Sequence, residues 1–314
     1  MDSVSQPTGV DRQRLLADLA LLAAAGIWGL GFVPARLAAV RLGALTYTGA
    51  RFLLAMIVLL PFVWPRRRQW TRSELGGGVI AGGILVIAAF TQQRGLQSTT
   101  AGNAGFITGL YVVFVPLMLA IVGRRRPEWP VWLASGLAAV ALFLLSGVQQ
   151  LTLAPGDVWV LVGAVFWALH IVVIGRLISG ADSLRLSIVQ YGTCGILGLA
   201  LSGLFEPHGL AAIGKGWWAV LYNGVMSIGV AMTLQVIGQR HAPPADAAVL
   251  LSGEAVFATL FGWLLISERL SVIQLIGCGL MLAAMLLAQW PAFAAARTRT
   301  ALVYPTSAEI PDDV

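Results

Sequence analysis

The chain has 314 residues, of which 58% are hydrophobic and 11% charged, and its mean hydropathy is +0.84. Soluble proteins carry about 25% charged residues, so this composition excludes a soluble enzyme, a disordered chain and a disulfide-stapled secreted domain. The net charge of +6 sits in short arginine clusters between apolar stretches, a pattern of membrane anchors rather than of a nucleic-acid-binding face.

Crossing the hydrocarbon layer takes about 20 mostly apolar residues. Such runs occur ten times, over about 15–33, 45–64, 75–94, 101–122, 129–147, 157–178, 184–204, 217–237, 246–266 and 271–289. The expected fold is all-α, a polytopic integral membrane protein with ten transmembrane helices. The first run is too long for a cleaved signal, and Trp28-Gly29-Leu30 continues where a small-residue cleavage site would stand. The chain is polar over 1–10 and 297–314, and residues 1–14 and 291–314 are expected to be cytoplasmic tails, the latter disordered. Cys194 and Cys278 lie in apolar, glycine-rich helices with no ligand-spaced partner, as small packing residues would.

Basic residues set the expected orientation. With the N-terminus inside, the inner segments hold fourteen arginines: Arg12, Arg14, Arg66, Arg67, Arg68, Arg72, Arg124, Arg125, Arg126, Arg176, Arg185, Arg240, Arg297 and Arg299. The outer loops hold five basic residues, Arg36, Arg41, Arg94, Lys215 and Arg269. That bias places both termini in the cytoplasm. Trp64, Trp70, Trp129, Trp159, Trp217, Trp218 and Trp290 fall near helix ends, as an interfacial belt requires.

The chain also repeats itself. A shift of 143 residues places Gln92 on Gln235, Gly95 on Gly238, Asn103 on Asp246, Tyr111 on Glu254 and Phe114 on Phe257, and a shift of 139 places Trp28 on Trp167. The repeats are expected over 15–147 and 156–290. Each holds five spans, and an odd number makes the second enter the membrane in the opposite sense. Inverted repeats are the architecture of secondary transporters, in which two pseudo-symmetric halves expose one site alternately to each side.

At these residues the chain resembles the EamA group of ten-helix permeases in the drug/metabolite transporter superfamily. The resemblance is carried by IWGLGF (27–32), ARFLLA (50–55) and GNAGFITGLYVVFVPL (102–117) in the first half. In the second half it is carried by EAVFATLFGWLLISERLS (254–271), followed by Gln274 and Gly277. Two positions depart from the family pattern: Ala255 stands where proline usually follows the acid, and Arg125 stands where an acid would match Glu268. The resemblance implies a carrier in the bacterial inner membrane for a small metabolite, often an amino acid or related compound, and often an exporter.

Glu254 is the leading candidate residue. It lies about 12 Å beyond Asp246 along a helix, near the middle of a layer about 30 Å thick. A carboxylate there costs at least about 2.5–3.5 kcal/mol unless it faces a wet cavity or a partner, or carries a proton. It could couple protons or hold a substrate amine; the alternative is a protonated acid bonded to a neighbouring helix. Tyr111, its repeat mate, could present a hydroxyl to the same site. His170, the only intramembrane histidine, could shuttle protons or simply be satisfied by a carbonyl or hydroxyl. Gln92, Gln235 and Asn103 could line the mouths of a cavity or cap helices, and Asp246 reads best as an N-cap after Pro243-Pro244. Trp28 and Trp167 could wall a cavity or pack helices. Arg51 lies five or six residues inside the second span and is expected to snorkel outward; the alternative is that it attracts an anionic group of the substrate. Gly105 and Gly109, with Gly82, Gly83, Gly277 and Gly279, are expected to admit close helix neighbours.

GLAAIGKG at 209–216 nearly matches a phosphate-binding loop, but no Ser or Thr follows the lysine and no strand precedes it, so ATP binding is rejected. No cofactor or metal site is expected. The expected partners are a small-molecule substrate, protons and the lipid bilayer, with no nucleic acid and with a homodimer left open. A lipid or lipid-linked solute flippase is the alternative transport reading. An intramembrane enzyme would need a nucleophile beside His170, and none is present.

Overall fold

The computed structural model describes residues 9–66, 70–99, 101–122, 127–145, 154–206, 213–266 and 271–303. The first half contains α1 (Gly9–Ala39), α2 (Ala44–Val63), α3 (Arg72–Gly95), α4 (Ala101–Gly109), α5 (Tyr111–Val122) and α6 (Trp129–Leu145). The second contains α7 (Pro155–Leu177), α8 (Ser183–Phe205), α9 (Trp217–Tyr222), a π-helical segment (Asn223–Met232), α10 (Thr233–Gly238), α11 (Pro244–Leu251), α12 (Glu254–Ile266) and α13 (Val272–Val303). Among the described residues, eight helical stretches are long and apolar enough to cross a bilayer, and two shorter apolar helices, Trp129–Leu145 and Val272–Ala288, bring the number to ten. The chain is an all-α, multi-pass membrane protein.

Local chemistry sets several helix starts. Thr71 and Glu74 form a reciprocal capping box on α3, the Glu74 N–H donating to Thr71 Oγ1 at 3.1 Å and the Thr71 N–H to Glu74 Oε2 at 2.9 Å. Pro155 fits the first turn of α7, where its missing N–H costs nothing, and Asp157 accepts the Ala154 N–H at 2.8 Å. Asp182 caps α8 by accepting from Leu184 and Arg185.

Two helices run further than their apolar cores. α1 begins at Gly9, inside the expected N-terminal tail, and carries an Arg14–Asp18 pair at i,i+4 spacing. The backbone of α13 continues to Val303, so the tail expected to be disordered from 291 starts as helix. Its alanine-rich stretch at 292–296 explains this, because alanine has the highest helix propensity.

Packing follows a pseudo-two-fold pattern that interlocks the halves. α2 packs chiefly on α8, α3 on α7 and α6 on α13; α1 packs on the π segment and on α10 and α12. Each half thus buries its best faces against the other. The equivalent residues Phe52 and Tyr191 meet edge to face across the α2–α8 contact, with centroids 6.0 Å apart. Closest approach there occurs where Gly49 faces Gly198: a Cβ on Gly198 would lie 2.9 Å from both the Cα and the N of Gly49. Of the glycines singled out from sequence, Gly82, Gly109 and Gly277 do meet neighbours, whereas Gly83, Gly105 and Gly279 face no described atom within 4 Å. Spacing alone does not say which side of a helix is covered.

Charged groups tie the helices near the bundle ends. At the end where α1 begins, Arg14 Nη2 donates to Asp246 Oδ2 at 2.8 Å, linking α1 to α11. Asp246 therefore serves an inter-helix ion pair rather than an N-cap, a place occupied by Pro243. At the same end, Arg185 Nη2 donates to Glu74 Oε1 at 2.6 Å, which also accepts the Asp182 N–H at 2.9 Å. At the opposite end, Glu206 after α8 accepts from the N–H groups of Leu45 and Thr46 at 2.8 and 2.9 Å, capping α2 from another helix. Exposed Ile121, Leu204, Phe205, Val272 and Leu286 present the apolar outer surface that lipid covers.

Candidate functional site

Two helix interruptions create the site. The fourth span breaks at Leu110, between α4 and α5, and the ninth at Ser252-Gly253, between α11 and α12. Leu110 and Gly253 are repeat equivalents at the 143-residue shift. At the second break the Gly253 N–H turns back to Leu250 O and the Ala255 N–H to Ser252 O, while Ser252 Oγ donates to Val249 O at 2.7 Å. The kink forms without the proline absent at 255, because Ser252 and Gly253 supply the turn. Each break puts its next residue, Tyr111 or Glu254, at the start of a half-helix deep in the bundle. Discontinuous helices of this kind build the sites of many secondary transporters.

Tyr111 and Glu254 face one cavity between the halves, holding about 680 Å³ of empty space including its mouth. Trp28, Trp167, Gln92 and Gln235 line it as well, so six of the sequence candidates meet in one place. Glu254 is only 5% exposed and its Oε1 is buried without a hydrogen-bond partner, with the Tyr111 hydroxyl close beside the carboxyl. The Trp28 indole N–H donates to Ser227 O at 2.9 Å, which holds the ring against the π segment. Gln92 donates to Thr108 Oγ1 at 3.0 Å, and Gln235 to Gln239 Oε1 at 2.9 Å.

His170 does not line this cavity, although Trp167 one turn before it does. The imidazole is fully buried behind the wall, with Nε2 2.8 Å from Gln190 Oε1 and the ring edge-to-face with Trp167. The α7 face that carries it packs on neighbouring helices rather than on the open space. The side chain of Asn103 lies outside the described residues, as do Arg67, Arg68, Arg124, Arg125, Arg126, Glu268, Arg269 and the start of the loop-like stretch at 209–212.

The cavity contains further residues that the sequence reading did not favour or did not place there. Arg51 lines it and is 5% exposed, so it does not snorkel to the surface. Its guanidinium lies over the rings of Tyr47 and Phe52, 4.9 and 5.5 Å from their centroids. Asn223, Ser227 and Met232 come from the π segment. Nine residues make two and a half turns of α-helix, which would set Met232 opposite Asn223. The i→i+5 bonding gives about 4.4 residues per turn and returns it to the same face. No sequence periodicity announces that change.

Comparison with known proteins agrees with this architecture. The model of the EamA-like transporter family matches twice, over residues 15–147 and 154–290. A transporter of uncharacterised function from Archaeoglobus fulgidus is 30% identical over 280 residues, covering 88% of this chain and 86% of its own. The inner membrane transporter YedA of Escherichia coli, also uncharacterised, is 27% identical over 290 residues, covering 88% and 91%. The threonine/homoserine exporter RhtA of Escherichia coli is 27% identical over 258 residues, covering 77% and 80%. A solved crystal structure shares the fold, with a TM-score of 0.74, 19% identity, and coverage of 89% of this chain and 98% of that one. The chain belongs to the EamA-like transporter family: it is a drug/metabolite-type transporter, not an enzyme.

Proposed function

We propose that the protein is a gradient-driven secondary transporter that exports a small metabolite, such as an amino acid or related compound, across a bacterial inner membrane. The observation that carries this reading is the cavity between the two halves, with the buried carboxyl of Glu254 at a helix break on its wall. An enclosed carboxylate is retained only if something neutralises it, and a proton and a substrate cation can do so in turn. Exchange between those two states would couple solute movement to a proton gradient. The halves would rock about the α2–α8 and α6–α13 contacts, and the Arg14–Asp246 pair would close the end at which α1 begins. With both termini cytoplasmic, as the arginine distribution favours, that end is the cytoplasmic one.

Purified protein in liposomes with an imposed pH gradient should move threonine or homoserine, the solutes named for the related exporter. Glu254→Gln should leave the protein folded and make any residual movement independent of the gradient. Undiminished coupled transport by Glu254→Gln would remove this residue from the mechanism. For orientation, reporter fusions at residue 70 and at the C-terminus should both report cytoplasm; an external C-terminus would invert the assignment.

A further inference from the structure

A buried cation without a counterion is the least expected feature of the cavity. Among the described residues no carboxylate pairs with Arg51: the ion pairs join Arg14 with Asp18 and Asp246, and Arg185 with Glu74. Arg51 Nε is buried and has no hydrogen-bond acceptor. Glu254, in the same cavity, leaves Oε1 equally unsatisfied. The two charges do not meet because they belong to different walls. Arg51 stands on α2, which packs on the π segment, whereas Glu254 opens α12 beside Tyr111 and against Gly29 of α1.

The pseudo-symmetry shows that this arrangement is not a packing requirement of the fold. The 139-residue shift that aligns Trp28 with Trp167 also aligns Arg51 with Gln190 and Gly31 with His170. In the second half Gln190 is engaged by His170 at 2.8 Å. In the first half the histidine's place is taken by a glycine, so Arg51 meets no imidazole there; its guanidinium rests over the Tyr47 and Phe52 rings, its Nε stays without an acceptor, and both Arg51 and Gly31 line the cavity. The fold thus accepts a neutral amide at this position, and the cation in the first half answers to something else. Burying an unneutralised guanidinium costs several kcal/mol, and a solute anion supplied from the cavity offsets that cost.

We propose that Arg51 is the carboxylate-binding residue of the cavity, and that with Glu254 on the other wall it makes the site selective for solutes bearing both a carboxylate and an ammonium group. This rests on the transport reading above and specifies what its site selects. The planar guanidinium can take a carboxylate through two parallel hydrogen bonds. The ammonium would meet Glu254 beside the Tyr111 hydroxyl, and the faces of Trp28 and Trp167 would receive the carbon skeleton.

The test is binding to the full-length purified protein, followed by thermal unfolding and intrinsic tryptophan fluorescence. The probes are the twenty L-α-amino acids and 4-aminobutyrate. At least one should bind saturably, and its carboxamide and its N-acetyl derivative should each bind at least about 30-fold more weakly. Arg51→Gln should bind acid and carboxamide equally while still preferring the free amine over the N-acetyl form. Glu254→Gln should show the reverse pattern, and Arg51→Lys should restore part of the preference for the acid. The wild-type comparison needs no variant, so a poorly folded substitution leaves the test intact. Equal binding of acid and carboxamide by the wild type, or a retained preference in Arg51→Gln, would overturn the proposal. Failure of every zwitterion to bind, while an imposed pH gradient still drives some solute, would sink this proposal alone; no gradient-driven movement of any solute would take the transport reading with it.

Discussion

Gly198→Val is expected to destabilise the protein by about 3 kcal/mol, the upper part of the range for overpacking. The reason is the α2–α8 contact. A Cβ on Gly198 would fall 2.9 Å from Gly49 Cα and N, and one on Gly49 would fall 2.6 Å from the Leu199 amide nitrogen. These are backbone atoms, so no rotamer change relieves the overlap; the helices must separate. Separation would also part Phe52 from Tyr191, both fully buried. Thermal unfolding of the purified protein reads the effect. Gly83→Val is the matched control, since no described atom lies within 4 Å of its added Cβ, and it should unfold close to the wild type. Equal stability of the two variants would mean that the α2–α8 approach is not tight.

Glu74→Ala should cost about 3 kcal/mol, the low end of the range for breaking a buried pair because this one sits near a bundle end. Glu74 is 1% exposed and Arg185 9% exposed. One carboxylate accepts from the Arg185 guanidinium, the Asp182 N–H and the Thr71 N–H, so it joins the start of α3 to the start of α8. Alanine removes all three acceptors and leaves the guanidinium without this partner. The double variant Glu74→Leu with Arg185→Leu should recover much of the loss, because desolvating two charges costs nearly as much as their attraction returns. A double variant no more stable than Glu74→Ala would show that the hydrogen bonds to Asp182 and Thr71, rather than the charge pair, carry the stability.

The fold was legible because crossing hydrocarbon demands long apolar runs, and those runs dominate this sequence. The repeat was read from residues rare in such runs, Gln92 with Gln235 and Trp28 with Trp167, and all four line one cavity. Arg51 was legible as a cavity residue only as the lesser of two readings. Position along the chain gives depth in the membrane but not the facing direction, and snorkelling is the ordinary outcome at that depth. His170 shows the converse: a polar residue at cavity depth that the packing of α7 turns towards Gln190. Asn223 and Met232 required the π segment, whose bonding pattern leaves no mark on hydrophobic periodicity. The Gly49–Gly198 contact joins residues about 150 apart, and nothing local to either glycine names its partner.

Synthesis order gives the interlocked packing a consequence in time. A ribosome adds about 5–20 residues per second, so α2 emerges roughly 8–30 s before the part of α8 that it packs against. Throughout that interval Gly49 presents a bare notch to lipid, Arg51 lies in the membrane with half a cavity, and Glu74 lacks Arg185. The first five helices must wait on their fewer contacts with one another, such as α2 on α3 and α5 on α6, until the second five arrive. A stalled or truncated chain would therefore display its least lipid-compatible residues, the signature by which a membrane quality-control protease can tell an unfinished molecule from a finished one.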